Sequence, residues 1–158
     1  LTITAFLVDH SPVHPAVGYR FDFRGRSVVV SGDTKKDANL QRFATGVDLL
    51  VHEALNPQLV GLLNQAAARA DRTRLVKISD DILDYHTTPV EAAEIARDAD
   101  VGYLLYNHIV PPLPLPPMED IFVDGVADTW SGPVRVGRDC TLARLPADSD
   151  IIELDELL

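Results

Sequence analysis

The sequence predicts a layered α/β fold, and three observations carry that prediction. Short β-branched and apolar runs alternate with amphipathic helical stretches, capping signals stand at the joints, and four of the five histidines fall where a strand meets a loop. With 158 residues and 46% hydrophobic content the chain suits one domain with a buried core, read as spanning residues 1–158.

The chain opens in Leu1 to Val8, whose β-branched residues and partial alternation predict a strand centred on Ile3 to Val8. Ala16 to Phe23 and Ser27 to Ser31 read as two further strands, joined as a hairpin by Arg24-Gly25-Arg26. A polar stretch leads to a short helix near Asn39 to Thr45, and Val47 to Val51 reads as a fully apolar strand, completing a βαβ rhythm. Asn56 is placed to cap a helix with Pro57 in its first turn, and Leu59, Leu62, Leu63, Ala66, Ala67 and Ala70 fall on one face of it. From Arg72 to Tyr85 the pattern is mixed and acidic. Thr88-Pro89-Val90-Glu91 has the form of a capping box and predicts a helix from Pro89 to about Asp98. Val101 to Tyr106 is another apolar strand. Five of the seven residues from Pro111 to Pro117 are proline, which predicts a stiff extended loop, and Val134 to Val136 and Thr141 to Leu145 read as short strands closing one edge.

The formal net charge of −10 repels polyanions, and the basic residues form two small groups, Arg20, Arg24 and Arg26, then Arg69, Arg72, Arg74 and Lys77. Nucleic acid is therefore expected to be a disfavoured partner. No run of about 18 apolar residues occurs, so no membrane segment is expected and the visible chain is expected to be soluble. Because it opens inside a strand and without methionine, it reads as a fragment or processed product, cytoplasmic or exported. With Cys140 alone, a disulfide framework and a thiolate zinc cluster are both excluded, so bound metal would need His and carboxylate ligands.

His10, Asp33, His52, His86 and His108 all stand near strand ends or helix starts, the rim on which side chains converge in layered αβ folds. A single histidine at such a place is more often a structural or surface group. It is the coincidence of several that points to a site. His14, between Val13 and Pro15, reads as a surface residue.

In order, Val8-Asp9-His10, Gly18-Tyr19-Arg20-Phe21, Ser31-Gly32-Asp33-Thr34, Val51-His52-Glu53-Ala54, His86-Thr87-Thr88 before a Glu-Ala-Ala-Glu helix, and Asn107-His108 resemble the distal half of metallo-β-lactamase-fold hydrolases, in the ribonuclease Z and arylsulfatase-like branch. The resemblance runs over about 110 residues. It implies the C-terminal part of an αββα sandwich, completed by an upstream half of the same fold that carries His-x-His-x-Asp-His, a signature absent here. A homodimer is left open. By the resemblance His10 would ligate the first of two zinc ions, Asp33 would bridge both and His108 would ligate the second, with manganese as the alternative metal. A metal-bound hydroxide would attack the ester. His86 would serve the oxyanion or leaving group, Glu53 would orient it, and His52 would have a structural or outer role.

The family's tRNA-processing members carry a long arm between the equivalents of His10 and Asp33. Only 22 residues separate the two here, mostly a tight hairpin. With the acidic charge and the prolines after His108, this favours a small phosphodiester, sulfate ester or related ester as substrate. The alternatives are a tRNA 3′ processing endonuclease and, of another class, a non-catalytic module with a degenerate metal site.

Overall fold

A computed structural model describes residues 1–157. One six-stranded sheet follows chain order: β1 (Thr2–Val8), β2 (Ala16–Phe23), β3 (Arg26–Val30), β4 (Leu49–Leu55), β5 (Tyr103–Val110) and β6 (Val134–Val136). β1, β2 and β3 pair antiparallel, while β3 to β6 pair parallel. Since β1 and β3 both oppose β2, they share a direction. β1, β3, β4 and β5 therefore all end on one rim, which is what positions the site.

The parallel pairs are joined by helices whose starts follow the expected chemistry. Helix α1 (Ala38–Ala44) is capped by Asp37, which accepts the Leu40 amide at 2.8 Å. Asn56 caps α2 (Pro57–Arg69) by accepting the Leu59 amide at 3.0 Å. The capping box at α4 (Pro89–Asp98) is complete, with the Glu91 amide donating to Thr88 Oγ1 at 3.2 Å and the Thr88 amide donating to the Glu91 carboxylate at 2.9 Å. Such a cap contributes about 1 kcal/mol and fixes where the chain turns from the site into the helix.

Helix α1 lies on β1, β2 and β3, and α4 lies on β4 and β5 against α1, so one face of the sheet carries the helical layer. Leu40, Leu50, Ile95, Leu104 and Tyr106 are buried between them. On the other face Leu1, Ile3, Leu7, Tyr19 and Phe23 remain exposed. That face is apolar and only partly covered. The hairpin of β7 (Thr141–Arg144) and β8 (Glu153–Glu156) reaches it through Arg26, which donates to the Ile151 carbonyl, and Arg135, which pairs with Glu156 at 2.6 Å.

Several elements differ from the sequence expectation. β4 starts at Leu49 and continues to Leu55, so His52 and Glu53 lie inside a central strand. Polar residues there broke the apolar pattern that marks a buried strand. β5 likewise runs through Asn107 and His108 to Val110. Glu53 pairs with Asn107 and Ala54 with Ile109, which leaves His108 as the extra residue of a bulge, at φ +42°. The mixed segment after Arg72 contains helix α3 (Thr73–Asp81), which packs on α2 and is tied to it where Asn64 donates to the Val76 carbonyl and to Asp80. After the proline loop come α5 (Pro117–Phe122) and α6 (Val126–Thr129). β7 and β8 do not extend the sheet edge but form a two-stranded sheet of their own. No helix among the described residues is long and apolar enough to cross a membrane.

Candidate metal and catalytic site

The rim formed by the ends of β1, β3, β4 and β5 gathers His10, Asp33, Glu53, His86 and His108. His10 follows β1 and is buried. Its Nδ1 hydrogen donates to the Tyr85 carbonyl at 2.7 Å, which leaves Nε2 with a free lone pair. The His10 and His86 rings meet edge to face at a centroid separation of 5.1 Å, and the His86 and His108 rings stand 5.9 Å apart. The run ends at Asp33, whose Oδ2 lies 3.6 Å from His108 Nε2. Both of these side chains are about half exposed. The bulge explains His108: an extra residue in the left-handed region re-aims its side chain away from the ladder.

Asp33 is set by the residue before it. Gly32 has φ +64°, and a Cβ there would collide with the Val17 carbonyl, so the turn that presents Asp33 requires glycine.

Glu53 ties the loops of the rim together. It is 1% exposed, and its Oε1 accepts from the Thr34 amide at 3.1 Å, the Thr87 amide at 3.2 Å and His86 Nδ1 at 3.0 Å. Thr87 Oγ1 donates to the Thr34 carbonyl at 2.6 Å, joining the same two loops a second time. Burial works against charge on His86, but the Glu53 hydrogen bond and charge, with Asp33 behind them, outweigh it and raise its pKa above the usual imidazole value. His52 is the opposite case. It is fully buried, donates from Nδ1 to the Glu53 carbonyl at 2.6 Å, and burial lowers its pKa, so it is neutral and outside the cluster. His14 is exposed and hydrogen-bonded to Ser11, and it is not among the paired rings of His10, His86 and His108.

Beside His108 opens a cavity of about 780 Å³, walled by Pro112, Leu113, Pro114 and Leu115 and crossed by Asn107 and Arg138. Asn107 Oδ1 is buried without a hydrogen-bond partner. Sequence reasoning named Asn107 only as the neighbour of His108 and gave it no role, and it missed the Tyr85 carbonyl that fixes the His10 tautomer. A main-chain acceptor leaves no residue-type signal.

His10, Asp33 and His108 are chemically a zinc or manganese donor set of two imidazoles and one carboxylate. Two donors sharing one tetrahedral ion at about 2.1 Å stand roughly 3.4 Å apart, close to the His108–Asp33 separation of 3.6 Å. The residues fit such an ion as part of a ligand set. Among the described residues no three His, Cys, Asp or Glu side chains converge closely enough to hold one unaided.

No family model matches the chain. It is 35% identical over 139 residues to ribonuclease Z of Mycobacterium tuberculosis strain H37Rv, covering 88% of this chain and 46% of the relative. Ribonuclease Z of Mycobacterium avium strain 104 is 34% identical over 141 residues, covering 89% of this chain and 46% of the relative. The chain spans about half the length of the curated relatives it matches. Among solved structures, the metallo-β-lactamase fold protein YhfI from Bacillus subtilis superposes with a TM-score of 0.61 at 21% identity, over 86% of this chain and 46% of that one. A long-form RNase Z from yeast gives 0.57 at 20% identity, over 87% of this chain and 16% of that one. Relatives named for a ribonuclease overturn the expectation that nucleic acid is disfavoured as a partner. The error was to let the net charge of the whole chain stand for the charge of any one surface.

Proposed function

From the premise that this chain belongs to the ribonuclease Z branch of the metallo-β-lactamase fold, we propose that the protein is a metal-dependent hydrolase that cleaves phosphodiester bonds at the 3′ side of precursor tRNA. The observation that carries the reading is the rim cluster, in which three imidazoles and a carboxylate are gathered from four separate segments while a buried glutamate fixes one of those imidazoles. This arrangement supports His10, Asp33 and His108 as the metal-binding residues of this chain. The remaining donors would come from the part of the fold that the relatives have and this chain does not span. The uncovered apolar face of β1 and β2 supports that reading, because it has the character of a surface that meets a second sheet.

Metal bound there supplies Lewis-acid polarisation of a phosphoryl oxygen and lowers the pKa of water. The chain's own residues do the rest. Glu53 holds the Nδ1 hydrogen of His86, so the ring keeps one orientation and directs Nε2 toward the reacting group. With its pKa raised, His86 carries a proton more readily than a free imidazole and can give it to the leaving oxygen. Asp33 contributes negative charge at the open end of the run, and the proline wall shapes the cavity beside His108.

The names of the relatives support RNA as the substrate over the small aryl ester expected from sequence. The test is to incubate the purified full-length protein with a precursor tRNA and, separately, with an aryl phosphodiester and an aryl sulfate, in zinc or manganese. A single cut at the tRNA 3′ side supports the proposal. Turnover of the aryl esters with no RNA cleavage would overturn it.

A further inference from the structure

We infer that the tip of the α2–α3 hairpin, carrying Arg69, Arg72, Arg74 and Lys77, docks the phosphate backbone of the RNA substrate some distance from the cleaved bond. This rests on the reading of the protein as an RNA-cleaving enzyme and adds to it the surface that holds the rest of the RNA.

Charge pairing singles the tip out. The chain has 14 Lys and Arg residues. Arg20, Arg26, Lys36, Arg97, Arg135, Arg138 and Arg144 are each in an ion pair with a carboxylate. Arg24 and Arg42 lie over the rings of Phe23 and Phe43. Of the Arg20, Arg24 and Arg26 group, two are thus paired with carboxylates and the exposed Arg24 stands alone over a ring. Of the cations without an ion pair among the described residues, four stand together between positions 69 and 77, all exposed, with Asp71 the one carboxylate among them. Asp80 and Asp81 follow one turn after Lys77 on α3 and line a hollow with Asp71, Arg72 and Lys77, none of these carboxylates within ion-pair distance of the cations, and Asp80 is engaged by Asn64. The four basic side chains are therefore left free for an outside anion.

The backbone places that tip usefully. Helix α2 starts at Pro57, two residues past the end of β4 that carries Glu53, and the return through α3 delivers Tyr85 and His86 to the rim. Both feet of the hairpin are planted at the site. Its two helices pack chiefly against each other. At 1.5 Å per residue, the thirteen residues of α2 carry the tip about 20 Å outward. On a nucleic-acid strand with one phosphate per roughly 3.4 Å, that span corresponds to about six phosphates. In a chain whose net charge is −10, an unneutralised cationic cluster on a projecting element has its complement in an anionic polymer.

The test uses the full-length protein and its triple variant Arg72→Gln, Arg74→Gln, Lys77→Gln, all exposed positions on a helical hairpin that glutamine suits. Precursor tRNA binding is measured across salt concentrations, with aryl phosphodiester turnover and light scattering in parallel. The variant is expected to bind RNA about tenfold or more weakly at low salt and to lose about three units of salt slope, while aryl ester turnover stays at the wild-type level. Unchanged RNA affinity and slope, with wild-type protein binding RNA, would overturn this inference and leave the proposed activity standing. Wild-type protein that turns over the aryl ester but binds no RNA would overturn both. Loss of RNA affinity in step with loss of a dimer would assign the tip to a contact between copies and also overturn it.

Discussion

Replacing Glu53 by alanine removes an acceptor shared by three donors, and the structure sets the size of the loss. Thr34 and Thr87 are completely buried, so their amides, now 3.1 and 3.2 Å from Glu53 Oε1, would be stranded away from water. At about 1–3 kcal/mol for each stranded donor, the two amides alone cost roughly 2–6 kcal/mol, against the roughly 5–15 kcal/mol that holds a typical domain folded. Glu53→Gln preserves the acceptor at the Oε1 position but puts an amide group where Oε2 has no partner, which costs about 1–3 kcal/mol. The assay is denaturant unfolding of the full-length protein and both variants. A loss below about 1 kcal/mol for Glu53→Ala, or equal losses for the two variants, would refute the argument that this carboxylate fastens the loops of the rim.

Two further outcomes follow from the histidines. His86→Ala should lower turnover about 10²-fold or more while leaving metal content near wild type, measured by kinetics and elemental analysis of the same preparation; loss of metal would make His86 a ligand instead. His52 is held neutral by burial, with its folded pKa below the unfolded value near 6.5, so the stability it confers is present above about pH 6.5 and lost as pH falls, by up to about 1.4 kcal/mol per pH unit. Unfolding free energies measured between pH 8 and 5 should fall less steeply for His52→Gln, and equal slopes would contradict this.

What the sequence made legible was local chemistry. The capping box of Thr88 and Glu91, the Asn56 cap and the hairpin at Gly25 each need only a few adjacent residues, and each is present. The ordered motifs also led to the residues of the rim, because strands that share a direction end together. The remainder depended on contacts between distant segments. Helix α3 is held by packing on α2 and by Asn64, which no pattern within residues 73–81 announces. The bulge that turns His108 outward exists only in the pairing of β4 with β5. The partner expectation failed for a related reason: net charge averages over the chain, whereas half of its cations are neutralised by ion pairs and most of the others gather on one hairpin.

The central claim, that His10, Asp33 and His108 bind metal, is tested most directly by elemental analysis of the full-length protein and its single variants. Wild-type protein should retain about two zinc or manganese ions per chain, His10→Ala, Asp33→Asn and His108→Ala should each lower that content, and His14→Ala should not. Wild-type metal content in all three site variants would contradict the account.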